Sequence, residues 1–156
     1  MTLAIEVQVA LRTPGLPKKV DLQRWVTAAL TNAGYINDAE LVIRIVDEAE
    51  SAALNQSYRH KQGSTNVLSF PFEAILGVDV NLLGDVVICA PVVLQEAILQ
   101  HKDPMAHWAH IVIHGVLHLL GYDHQNDMQA NTMEALESRT LVSLGYPDPY
   151  GELTGS

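Results

Sequence analysis

The chain has 156 residues, is 48% hydrophobic and carries a formal net charge of −9. That length and apolar content suit one folded domain over residues 1–156 and exclude a disordered chain, while a single cysteine, Cys89, excludes an internal disulfide framework. With this charge the molecule as a whole repels polyanions, so nucleic acid would have to be met by a local cationic patch.

The first residues, MTLAIEVQVALR, form neither a basic leader nor an unbroken apolar run, and no stretch reaches the apolar length of a membrane span, so a cytoplasmic protein without membrane contact is expected. Leu3, Ile5, Val7 and Val9 alternate as in a half-buried strand. Asp21 then caps a helix with Leu22, Trp25, Val26, Ala29 and Leu30 on one side, ended near Gly34, and Leu41 to Val46 reads as a second strand. A strand, helix, strand order of this length predicts a right-handed crossover and a parallel pair. Glu48 to Tyr58 reads as a helix, Asn66 to Phe70 and Asp85 to Cys89 as short strands, and Gly77 to Gly84 as the loop between them.

Helices follow: Val92 to Gln100, Pro104 to Leu120 with Asp103 as N-cap, and Met128 to Leu144 with Met133, Leu136, Thr140 and Leu144 at helical spacing, stopped by Gly145 and Pro147. Residues 147–156 are expected to be a loose tail. The order predicts a single α+β domain, a small mixed sheet of four strands packed with helices, one of which is a metal-binding helix like that of zinc peptidases.

That helix ends in HGVLHLLGYDH, His114 to His124. At about 100° and 1.5 Å per residue, His114 and His118 lie on one face roughly 6 Å apart along the axis, a spacing one ion can bridge. Gly121 can take the left-handed conformation that ends a helix, which returns the chain and brings His124 to the same point. Three neutral imidazoles with an exchangeable fourth position describe a catalytic metal site better than a structural one. His107 and His110 share the stripe, and His110 with His114 is also an i, i+4 pair. Only His114 and His118 lie close enough to the Gly121 reversal for His124 to complete the set, which leaves His107 and His110 as supporting or surface residues.

HGVLHLLGYDH, together with LNQSYRHKQGSTNVLSFPFE from Leu54 to Glu73 and GDVVI from Gly84 to Ile88, resembles the YbeY family of bacterial ribosomal RNA maturation factors, which are metal-dependent endoribonucleases. The resemblance spans nearly the whole domain. It implies that His114, His118 and His124 are zinc ligands and that Arg59 is the other functional residue. It also implies a role in maturing the 3′ end of small-subunit rRNA, in ribosome quality control, and in contacts with the small ribosomal subunit and its assembly factors.

The residues themselves permit such chemistry. His114 to His124 has the HExxHxxGxxH spacing of zinc peptidases, but Gly115 stands where the peptidase glutamate, the general base, would be. Asp123 and Glu134 are the nearest carboxylates in sequence. Glycine inside a helix costs about 1 kcal/mol relative to alanine; it either leaves open space for a phosphodiester beside the metal or lets another element pack closely. Zinc lowers the pKa of a bound water to about 7, so attack at neutral pH needs no carboxylate base. Charge building on the phosphate needs a cation, and the planar guanidinium of Arg59 suits it, making Arg59 and His114 the candidate catalytic residues.

Seven of the nine basic residues, Arg12, Lys18, Lys19, Arg24, Arg44, Arg59 and Lys61, precede residue 62, which predicts a cationic wall facing the metal. Asn66 and Ser69 either line that groove or face solvent, Asp85 either orients a histidine ring or caps a turn, and Tyr122 and Asp123 lie beside the ligands. One divalent ion is expected, zinc first and nickel second, and the resemblance implies RNA rather than DNA as substrate. The competing readings are a zinc peptidase-like hydrolase and a non-catalytic ribosome assembly factor with a structural zinc.

Overall fold

A helix that carries the chain from one end of a strand back to the start of the next makes the two strands parallel, and the chain begins in this way. In a computed structural model that describes residues 2–73 and 81–150, β1 (Leu3–Val9) pairs in parallel with β2 (Ala39–Val46), Leu3 opposite Ala39, across α1 (Lys19–Asn32). There follow α2 (Glu48–Arg59), β3 (Val67–Pro71), β4 (Leu82–Cys89), α3 (Ala90–Leu99), α4 (Pro104–Leu119) and α5 (Asp127–Ser143). The sheet order is β1-β2-β4-β3, with β4 parallel to β2 and β3 an antiparallel edge. This is the α+β fold with a four-stranded mixed sheet that the element order predicts.

Several boundaries differ from the expected ones. Lys18, not Asp21, occupies the N-cap of α1; Asp21 sits three residues inside, where its carboxylate accepts the Lys18 backbone N–H at 2.9 Å. β4 begins at Leu82 rather than Asp85, so Gly84 is a strand residue: a Cβ there would lie 2.2 Å from the Phe70 carbonyl oxygen, and glycine is what permits the close pairing with β3. Residues 77–80 of the predicted loop lie outside the described residues. Helix α3 starts at Ala90, because Pro91 fits the first helical turn.

The larger core lies between one face of the sheet, where Ile43, Val86 and Ile88 point, and the helices α1, α4 and α5; a smaller one on the reverse face joins Val46, Leu68, Val87 and Cys89 to Leu54 of α2. Helix α4 is buried almost all round, which explains its apolar composition.

Gly115 settles how α4 meets the sheet. A Cβ at this position would stand 2.7 Å from Cγ1 of Val86 and 3.2 Å from Cγ2 of Val67, so the space is filled by β3 and β4. The expectation of an open space beside the metal is therefore corrected: the missing side chain serves close helix-to-sheet packing, and Ser69 of β3 seals the contact by donating to the Gly115 carbonyl at 2.9 Å.

The expected loose tail is also corrected over its described part. Gly145, at φ 91°, reverses the chain after α5, so that Asp148 accepts from the Ser138 hydroxyl at 2.7 Å and from its own neighbour, the Tyr150 N–H, at 2.9 Å. Among the described residues no helix is long and apolar enough to cross a membrane.

Candidate metal centre

The local sequence builds the centre as the spacing predicts. Asp103 caps α4 by accepting the Met105 N–H at 2.9 Å, and Pro104 opens the helix. At the other end Gly121 adopts φ 100°, and Tyr122 donates its N–H back to the Leu117 carbonyl at 3.1 Å. The reversal brings His124 over the last turn. Ring centroids are 4.7 Å apart for His114 and His118, 5.2 Å for His118 and His124, and 5.7 Å for His114 and His124.

One nitrogen from each ring lies within 4.8 Å of the other two. Nε2 of His114 and Nε2 of His118 are 3.2 Å apart, close to the separation of about 3.3 Å that a tetrahedral ion bound at about 2.0–2.1 Å imposes on two of its ligand nitrogens. Burial, with the neighbouring charges of His114 and His124, pushes His118 down to about 4, so its ring is neutral and able to ligate near pH 7. No fourth His, Cys, Asp or Glu joins the cluster among the described residues. The donor set therefore fits a divalent ion with part of its coordination open.

The residue that orients the first ring of this set is Glu137 of α5, which the spacing of the motif does not single out. Its carboxylate is 1% exposed and accepts from Nδ1 of His114 at 2.6 Å and from Nε2 of His110 at 2.7 Å. An ionised carboxylate can only accept, so the His114 proton sits on Nδ1 and the lone pair of Nε2 is free for a metal. Burial alone would raise the Glu137 carboxyl, but the hydrogen bonds from His110 and His114 outweigh it and hold the group at about 2.

Asp85 does not orient a histidine ring. It is exposed and alternates with Val86, which places it on the sheet face away from α4. A sequence signal for Glu137 did exist, since a lone carboxylate interrupts the buried stripe Met133, Leu136, Thr140, Leu141. His107 also has a supporting partner, with Nε2 2.9 Å from Glu96, which in turn accepts from the Asn66 amide at 3.2 Å.

The trio opens onto a groove of about 700 Å³ whose walls include Arg59, Lys61, Asn66, Ser69, Tyr122 and Asp123. Arg59 ends α2, its side chain exposed and free of hydrogen bonds or ion pairs among the described residues. The predicted cationic wall shrinks to Arg59 and Lys61. Arg44 is instead engaged by Glu50 at 2.5 Å and by Gln8, Arg24 reaches the Tyr146 hydroxyl, and Lys18 and Lys19 stand at the start of α1. Asp123 lies in the groove, its carboxylate accepting the His124 backbone N–H at 2.8 Å, whereas Glu134 is exposed on α5 and does not line it. Tyr58, which is 50% exposed, also lines the groove, its ring packed edge-on against Phe70 at 4.4 Å.

Comparison with known proteins agrees with the motif. A family model described as "Endoribonuclease YbeY" matches residues 15–145. A curated relative from Nitrosococcus oceani, named Endoribonuclease YbeY, is 53% identical over 152 residues, covering 96% of this chain and 98% of its own. Among solved structures, the solution structure of TM1509 from Thermotoga maritima superposes with a TM-score of 0.58 at 26% identity, covering 97% of this chain and 92% of that one.

Proposed function

The chain belongs to the YbeY family of endoribonucleases, and we propose that it cuts single-stranded RNA with one divalent metal ion, zinc before nickel, held by His114, His118 and His124. The observation that carries this reading is the convergence of three imidazole nitrogens on a groove that also contains Arg59, whose side chain is unpaired among the described residues. A metal bound there would supply Lewis acidity at a phosphoryl oxygen and lower the pKa of the attacking water or hydroxyl.

The chain's own residues do the rest. Glu137 fixes the His114 ring with its lone pair toward the metal position. The Arg59 guanidinium takes the non-bridging oxygens of the phosphate, where charge builds as the bond breaks. Lys61 extends the cationic rim along the backbone. Tyr58 offers an aromatic face to an unpaired base, which a paired strand could not present, and this supports single-strand preference. With a net charge of −9 the molecule as a whole repels RNA, so affinity has to come from a local cationic patch, and this groove supplies one.

The physiological substrate in this proposal is the precursor of small-subunit rRNA at its 3′ end. Ribosome quality control, contacts with the small subunit and its assembly factors, and a cytoplasmic location belong to the same reading, and all rest on family resemblance. A peptidase mechanism is disfavoured, because position 115 faces β3 and β4 and has no room for the glutamate base. A purely structural metal is disfavoured by the three-donor cluster.

The test joins metal analysis of the purified protein to cleavage of single-stranded RNA by wild type, His114→Ala and Arg59→Ala. The expected result is loss of metal and cleavage in the first variant and loss of cleavage alone in the second. Cleavage that persists after metal is lost overturns the proposal.

A further inference from the structure

The carboxylate that orients His114 is itself held from the far end of the chain. After Gly145 the backbone runs back along α5, and the tie between Ser138 and Asp148 sets Tyr150 beside Glu137. The Tyr150 hydroxyl donates to Oε1 of Glu137 at 2.5 Å, and the same oxygen accepts from Nε2 of His110 at 2.7 Å. Oε2 is left to His114 at 2.6 Å. The Tyr150 ring stands edge-on to His110, centroids 5.6 Å apart, and its hydroxyl lies 3.2 Å from Nε2 of that ring.

A carboxylate 1% exposed has no water to satisfy it, so its rotamer is set by whichever protein donors reach it. Two donors on Oε1 resist rotation of the group about its own axis, and such rotation would withdraw Oε2 from His114. Burial and the Glu137 carboxylate push the Tyr150 phenol well above its ordinary range, which keeps it a neutral donor.

We propose that Tyr150 is a positioning residue of the metal site: with His110 it locks Glu137, and through Glu137 it keeps the His114 ring aimed at the metal, so the segment Pro147 to Tyr150 is a working part of the centre. The inference rests on the metal reading of the histidine trio. It also predicts that loosening this segment, by substitution or by a partner that draws it away, loosens the metal without touching any ligand.

The test is carried out on the full chain loaded with zinc, and with cobalt in parallel, comparing wild type, Tyr150→Phe and Ser138→Ala. Tyr150→Phe keeps the ring and removes only the hydroxyl; Ser138→Ala removes one of the bonds that hold Asp148, at a distance from the metal. Expected for both is zinc release to a chelator faster by about threefold to tenfold, less than for direct partners of a ligand because one more bond intervenes. A changed cobalt absorption spectrum accompanies it, with metal-free melting temperatures close to wild type.

If wild type retains zinc while both variants release it at the wild-type rate with unaltered cobalt spectra, the Tyr150 assignment is overturned and the metal reading survives. If wild type binds neither ion, the metal reading fails and this inference falls with it. Should Tyr150→Phe fold poorly, Tyr150→Leu, which also lacks the hydroxyl, decides by the same criteria.

Discussion

Oε2 of Glu137 lies 2.6 Å from Nδ1 of His114, joining a buried carboxylate of α5 to a metal-ligand candidate of α4. Replacing it tests whether this bond tunes the centre. Glu137→Gln keeps the shape but offers one acceptor oxygen to three donors, so metal affinity should fall about 10- to 100-fold. Competition with a coloured chelator measures this, and an affinity equal to wild type contradicts the assigned role. The same variant should also lose about 1–3 kcal/mol of stability, because buried donors go unpaired.

Gly115→Ala should destabilise the fold although alanine favours helix. The gain in propensity is about 1 kcal/mol, while pressing a methyl to 2.7 Å from Cγ1 of Val86 meets a stiff side chain. Overpacking costs about 1–3 kcal/mol, so a net loss of about 1 kcal/mol is expected. Urea denaturation reads it directly, and a stabilised variant would mean that α4 does not seat against β3 and β4 at this glycine.

Arg59→Ala should reduce cleavage of single-stranded RNA by about 100-fold, the scale for losing one group that stabilises developing charge. Bound metal should stay at the wild-type level, because Arg59 has no bond to the histidine trio. Arg59→Lys should recover only part of the rate, since an ammonium lacks the planar fork. Full activity in the alanine variant removes Arg59 from the mechanism.

Tyr58→Ala should weaken binding of an unpaired strand by about 1–3 kcal/mol, the contribution of one stacked base, and leave the maximal rate little changed. Tyr58→Trp should retain affinity. Titration of a short RNA carrying a fluorescent base analogue near the cut site reports stacking through quenching. Equal quenching in wild type and Tyr58→Ala would show that the ring is not a base platform.

The histidine trio was legible in the sequence because it is local: an i, i+4 pair and a glycine reversal lie within one short segment, and helix geometry together with that reversal carries the three rings together. The parallel β1 and β2 were legible for a similar reason, a strand pattern on either side of one amphipathic helix. Arg59 was read through family resemblance, and its position in the groove depends on how α2 lies against the sheet.

Chain order by itself determined the histidine trio, the order of elements and the α+β class, since each follows from periodicity or from neighbours in sequence. Only the packed molecule decided what Gly115, Glu137 and Tyr150 do. The first faces Val86 and Val67, the second meets His110 and His114, and the third bonds Glu137, so each role depends on a contact between segments far apart in the chain. Such contacts are set by how helices stack on a sheet, and residue spacing carries no record of that distance. For the same reason the basic residues crowded into the first half of the sequence scatter over the fold, leaving Arg59 and Lys61 at the groove.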